Sequence, residues 1–291
     1  MSTVLITGVN GFIGSHLAAH LAKCGHRVVG STSSEAGLRI ATPGVAHKAV
    51  LRLGGPCDAG ILRGIDVVIH CAWDLRPGAI QANIDGTKQL LEVAEQAGVP
   101  YQLFLSSYSA HPLAVSAYGG AKLVVQEECL RRGLAAVRPG LVVGAGGLFQ
   151  RISDTVARHL VVPLVDSGRA RVPIIAVADL RRALADIMER RLTGLFSLFN
   201  PDLITLKALM LEIRAAARRR TLLIPVPSRL LLGSLWLMSK VGITPPINVD
   251  SLRGLQANLY VKDRSDLPAF VPRPLTLAEM VRAASLVAHG S

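Results

Sequence analysis

Aromatic residues are scarce in this sequence, with two Trp, four Tyr and six Phe in 291 residues. A groove that stacks bases needs aromatic rings set among its cations. The densest basic groups here, Arg131-Arg132, Arg181-Arg182, Arg190-Arg191 and Arg218-Arg219-Arg220, have none interleaved, so nucleic acid is not an expected partner. Acids are also in short supply, 20 against 32 Lys and Arg, which leaves a net charge of +12. That surplus points to an anionic partner, although each arginine taken singly reads as part of a solvated helix face. Half of the chain is hydrophobic and its mean hydropathy is +0.41, yet no run of about 18 uncharged apolar residues occurs, which excludes an expected spanning helix. The four cysteines, Cys24, Cys57, Cys71 and Cys129, form no C-x-x-C pair and have no companion His at zinc spacing. No metal site is expected, and reduced, mostly buried thiols are. The opening MSTVLITG lacks a basic stretch and a small-residue cleavage site, so the expectation is a cytoplasmic protein.

What the chain does have is an alternation of apolar strands and amphipathic helices. Strands are expected at 4–6, 26–30, 46–53, 65–72, 101–107 and 135–143, with helices after the first strand and at 79–97 and 117–132. The strands are apolar throughout rather than at every second position, as a parallel sheet covered on both faces requires. The expected fold is therefore α/β: a Rossmann-like doubly wound parallel sheet with its crevice at the carboxyl ends of the strands. Beyond residue 145 the pattern loosens and prolines cluster. Helices are expected at 178–191, 204–219, 228–241 and 276–288, and short strands near 172–176, 195–199 and 221–226. We divide the chain into a dinucleotide-binding domain, 1–165, and a smaller irregular substrate lobe, 166–291, parts of which return to the core.

Thr7-Gly8-Val9-Asn10-Gly11-Phe12-Ile13-Gly14 joins the first strand to the first helix. Gly8 permits a tight turn, Gly11 lets main chain approach a pyrophosphate, and Gly14 allows helix to pack closely on sheet. The helix N-terminus then faces the phosphates with free N–H groups and partial positive charge.

This G-x-x-G-x-x-G spacing resembles the opening of the extended short-chain dehydrogenase/reductase family, of the epimerase/dehydratase type. The resemblance continues in register through Asp66-Val67-Val68-Ile69-His70-Cys71-Ala72, Asn83-Ile84-Asp85-Gly86-Thr87, Phe104-Leu105-Ser106-Ser107, Tyr118-Gly119-Gly120-Ala121-Lys122, Val137-Arg138-Pro139-Gly140 and Val177-Ala178-Asp179-Leu180. It implies a nicotinamide cofactor held by Gly8, Asn10, Gly11, Phe12, Ile13, Gly14, Cys71, Ala72, Tyr118, Lys122 and Pro139, to which the residues after the second strand add Ser31, Thr32 and Arg39. It also implies Ser107, Tyr118 and Lys122 as the catalytic set, and a homodimer.

The spacing of Tyr118 and Lys122 puts both on one helix face. A free phenol titrates near about 10, and a nearby ammonium favours its ionised form. Bringing it to about 7 takes roughly 4 kcal/mol of differential stabilisation, to which a positively charged nicotinamide ring would add. Such a phenol exchanges a proton with a substrate hydroxyl while hydride moves to or from the nicotinamide. Three features depart from the sugar-nucleotide pattern. Ser107 and Tyr118 are 11 residues apart, a short connection, and no proline precedes Tyr118. Where dehydratases of the family carry an Asp-Glu pair, this chain has Tyr108-Ser109, which argues against 4,6-dehydration. Ser109 is an alternative to Ser107.

The segment after the second strand reads Val29-Gly30-Ser31-Thr32-Ser33-Ser34, with no acid before Glu35 to meet the ribose hydroxyls that mark NAD. With Arg39 downstream this leans to NADP over NAD. The expected substrate is a small molecule: a nucleotide sugar or related hydroxyl or keto compound, acted on by an epimerase or reductase. The alternatives are a reductase or dehydrogenase of an apolar, flavonoid- or steroid-like alcohol, and a catalytically silent dinucleotide-binding sensor or scaffold. The apolar 228–241 segment is open between core helix, dimer helix and membrane-surface contact.

Overall fold

The computed structural model describes residues 1–227 and 264–288. Its first half is a run of strand–helix units: β1 (Thr3–Thr7), α1 (Phe12–Lys23), β2 (Arg27–Thr32), a short α2 (Glu35–Leu38), β3 (Val45–Val50), β4 (Val67–His70), α3 (Ile80–Gln96), β5 (Tyr101–Leu105), α4 (Ala117–Arg131) and β6 (Ala135–Pro139). The second half holds β7 (Leu141–Val143), α5 (Gly147–Arg158), β8 (Val161–Val165), β9 (Arg171–Val172), β10 (Ile174–Ala176), α6 (Val177–Glu189) and β11 (Gly194–Leu198). It closes with β12 (Ile204–Thr205), α7 (Leu206–Ala216), β13 (Leu222–Val226), α8 (Leu267–Phe270) and α9 (Leu277–Ala288).

Seven strands form one parallel sheet in the order β11-β6-β5-β4-β1-β2-β3. The winding reverses between β1 and β4, so a crevice opens at their carboxyl ends. Why these strands are uniformly apolar is visible in the core. Val4, Ile6, Val67, Ile69, Leu103 and Leu105 point to the layer holding α1 and α6, while Leu5, Val68 and Phe104 point to the layer of α3 and α4. With both faces covered, the period-2 alternation that marks a half-buried strand disappears.

A second core joins Phe149 and Val156 of α5, Val162 and Leu164 of β8, and Leu209 and Ile213 of α7 to Met280 and Val281 of α9. It sits on three two-stranded sheets, β10 with β7, β12 with β9 and β13 with β8. Two details differ from the sequence expectation. The strand expected at 135–143 breaks at Gly140, whose main chain lies so close to Pro173 that a Cβ there would come 2.5 Å from the Pro173 oxygen. Helix α5 and strand β8 stand where no element was expected. The expected helix at 228–241 lies outside the described residues.

Candidate active site

The main chain makes one wall of the crevice. Gly8 has φ of +65°, in the left-handed region, and a Cβ on it would lie 2.9 Å from the Cα of Ala72. A side chain there is thus excluded twice, by strain and by space. Ala72 is held under the turn by its own N–H, which donates to Thr7 Oγ1 at 2.9 Å. Gly11 is the N-cap of α1 and offers no side-chain cap, so the first N–H groups of the helix remain available to an anion. Gly14 is buried in that first turn, and Ile13 is half-buried against the core. The ring of Phe12 fills a space lined by Gly144, Gly146 and Gly147, where added Cβ atoms would come within 2.8, 2.4 and 2.9 Å of it.

Asn10 faces sideways. Its amide nitrogen donates to the Gly37 carbonyl at 2.8 Å, and its oxygen accepts from Thr42 Oγ1 at 2.8 Å and Lys48 Nζ at 2.9 Å. This ties the glycine turn to the loop after β2. At the end of β2, Ser31 and Thr32 are buried, and Ser31 Oγ has no hydrogen-bond partner among the described residues. Arg39, the C-cap of α2, is exposed. These features fit a dinucleotide: a cradle without Cβ atoms, an open helix terminus, and an unpartnered hydroxyl where an adenosine ribose would lie.

Ser107, Tyr118 and Lys122 meet at the carboxyl end of β5. Helix α4 begins at the capped Ser116, whose Oγ accepts from Gly119 N at 3.0 Å, so Tyr118 falls in its first turn and Lys122 one turn on. The Tyr118 hydroxyl is hydrogen-bonded to Ser107. Burial raises the Tyr118 pKa above the ordinary phenol value, and the Ser107 bond works against that rise. Lys122 is buried; its ammonium donates to the Leu105 carbonyl at 2.7 Å and lies 3.9 Å from the centre of the Trp73 ring and 4.7 Å from that of Phe104. Burial lowers its pKa to about 7. Burial thus opposes ionisation of the phenol in the absence of cofactor, and a positive charge brought in with the cofactor would act in the other direction. Cys71 lies beside this centre with its thiol pushed up to about 12 by burial, a small hydrophobe rather than a nucleophile. Pro139 is buried at the end of β6, and its carbonyl accepts from Tyr108 N at 3.0 Å.

Sequence reasoning missed Trp73. Its ring meets Tyr118 edge-on at 6.2 Å and caps Lys122, which makes it a wall of the site. Asn83 holds the Trp73 loop from α3: its oxygen accepts from Asp74 N and its amide donates to the Asp74 carbonyl, both at 2.8 Å. The available signal was a bulky aromatic directly after Cys71-Ala72. Arg138, buried, donates to the Ala110 carbonyl at 3.2 Å and Ser197 Oγ at 2.7 Å, bracing the loop between Ser107 and α4.

Known proteins share this fold. The model of the NAD dependent epimerase/dehydratase family matches residues 4–195. A 3-beta-hydroxysteroid dehydrogenase of Mycolicibacterium neoaurum is 29% identical over 147 residues, 45% of this chain and 37% of that protein. A ceramide reductase of Caulobacter vibrioides (strain NA1000 / CB15N) is 28% identical over 207 residues, 67% of this chain and 63% of that protein. The matches thus span less than two thirds of either relative. The structure of UDP-N-acetylglucosamine 4-epimerase from Bacillus cereus has the same fold, with a TM-score of 0.73 at 15% identity over 100% of this chain and 98% of that one.

Proposed function

The chain belongs to the NAD dependent epimerase/dehydratase family, and on that premise we propose that it reduces an apolar ketone, or oxidises the matching alcohol, with Tyr118 as the acid/base. The observation that carries this reading is the Ser107–Tyr118 hydrogen bond, with a buried Lys122 one helical turn on and Trp73 against both Tyr118 and Lys122. A phenol held in its neutral form is a proton donor, which suits reduction: Tyr118 protonates the oxygen of the carbonyl while Ser107 hydrogen-bonds it. In the oxidative direction Tyr118 takes that proton back. The nicotinamide, when bound, supplies or accepts the hydride. Gly8, Gly11, Phe12, Ile13 and Gly14 would hold its pyrophosphate, and Lys122 its ribose. Trp73 shields the centre from water, which strengthens each of these interactions.

An apolar substrate is favoured by the loops that leave the carboxyl ends of the strands. Leu75, Leu113, Val115 and Leu148 are all exposed there. Both relatives with sequence identity act, by name, on a steroid or a ceramide. The lobe from residue 166 onward is the part we assign to substrate. A second reading, epimerisation or reduction of a nucleotide sugar, is favoured by the basic surplus and by exposed Arg169 and Arg171 beside β10. We assign NADP over NAD, because β2 ends on Ser31 and Thr32 with no carboxylate.

The test is a reduction assay on long-chain and polycyclic ketones beside a panel of nucleotide sugars, with NADPH and NADH in parallel. Tyr118→Phe is expected to lower kcat by about 10²- to 10⁴-fold while NADPH still binds. Turnover unchanged in that variant would remove Tyr118 from the mechanism. Activity confined to nucleotide sugars would select the second reading.

A further inference from the structure

Away from the crevice, the C-terminal ends of α5 and α7 come together at the start of the β8–β13 sheet. Arg219 Nε donates to the Ala157 carbonyl at 2.8 Å, and Thr221 Oγ1 donates to the carbonyls of Val156 and His159 at 2.7 and 3.0 Å. Leu222 N closes the junction on the Leu160 carbonyl at 2.8 Å. The result is a cluster of exposed bases: Arg158, His159, Arg218, Arg219 and Arg220.

Apolar side chains continue this surface. β8 and β13 pair in parallel with Leu222 opposite Val161 and Ile224 opposite Pro163. Alternation sends Val162, Leu164 and Leu223 toward the second core and leaves Val161, Pro163, Leu222 and Ile224 outside. Leu160 is 84% exposed, Leu222 61%, Val161 48% and Ile224 46%. Large apolar residues so exposed, and contiguous, mark an interaction face rather than a packing defect. The segments that build it, 155–165 and 213–227, contain no acid, and the nearest in sequence, Asp154, Asp166 and Glu212, stand outside both. The acid-free sequence runs on to Val249, and Arg229 and Lys240 are the further charges in it. Among the described residues no helix is long and apolar enough to cross a membrane.

We propose that this face docks the protein on an anionic lipid surface, the arginines meeting headgroup phosphates and Leu160, Leu222 and Ile224 entering the boundary beneath them. Basic side chains rimming exposed apolar ones are the chemistry that an anionic bilayer complements on both counts. A purely polar anion would leave the leucines in water, and a purely apolar partner would strand the arginines. The proposal goes beyond the reaction assigned above and stands without it. If both hold, the surface that supplies a water-insoluble substrate is also the one the protein sits on.

The full chain would be sedimented with vesicles of phosphatidylcholine alone and of phosphatidylcholine with phosphatidylglycerol. Binding is expected to the anionic vesicles, and to be lost at about 1 M salt, where the Debye length is about 3 Å. Arg158→Ser with Arg218→Asn and Arg220→Ser is expected to weaken it by about fivefold per charge removed. Asn at 218 suits the positive φ of 51° found there. Leu160→Ser with Leu222→Ser is expected to weaken binding at low salt too, while thermal unfolding and NADPH titration show both variants folded. Wild-type protein left in the supernatant, or variants that sediment as well as wild type, would overturn the proposal. So would displacement by pyrophosphate too dilute to alter ionic strength, which would mean a single-anion pocket. A dimer abolished by Leu160→Ser, without vesicle binding, would give the face to a second copy instead. None of these readouts depends on turnover, so failure here and failure of the proposed reaction are told apart.

Discussion

β5 and β13 are both five residues long and almost wholly apolar, YQLFL and LLIPV, yet every position of β5 is buried and no position of β13 is. The difference lies in their surroundings. β5 has β4 and β6 as neighbours and helices over both faces; β13 has β8 beside it and a core on one side. Identical chemistry is thus fold-forming in one sheet and surface-forming in the other. What decides is the number of covered faces, which composition does not record.

The comparison can be broken most directly at Phe104, on β5 beside Trp73 and Lys122 and 1% exposed. Phe104→Ala is expected to cost about 3–5 kcal/mol in denaturant unfolding, through lost burial and the cavity left behind. Next in size is the charge that this covered layer holds. The pKa of Lys122 falls from 10.5 to about 7 on folding, so between those values the unfolded chain binds more protons. Stability therefore rises with pH across that window, by at most about 1.4 kcal/mol per pH unit. Lys122→Met is expected to flatten that slope, as read by unfolding at a series of pH values without cofactor. An unchanged slope would show the ammonium to be solvated. The smallest effect belongs to the open sheet: Ile224→Ala is expected to change stability by no more than about 0.5 kcal/mol. A cost near that of Phe104→Ala would mean that the outer face of β13 is covered, and the contrast would fail.

The glycine turn, the parallel sheet and helices α3 and α4 were legible in the sequence because each has a local cause. Turn, cap and unbroken apolar strand are all written within a few neighbouring residues. Helix α5 was also written there, with Phe149, Ile152 and Val156 at helical spacing on its packed face, but Gly146-Gly147 and three charged residues masked it. Other features had no local signal. The close approach of Gly140 to Pro173 joins residues 33 positions apart, and it is what splits the expected strand at 135–143. Trp73 reaches Lys122 across 49 positions. Spacing shows which side chains share a helix face. It does not show that Lys122 turns inward to a carbonyl and an indole, nor that Tyr118 is buried enough for desolvation to raise its pKa.

The seat of Phe12 has a mechanical consequence. Three glycines close around one ring at the first position of α1, with no slack for a side chain on any of them. The opening of α5 is therefore geared to the helix end that would receive the pyrophosphate. A side chain at any of the three would have to push the ring aside, and with it the first turn of α1.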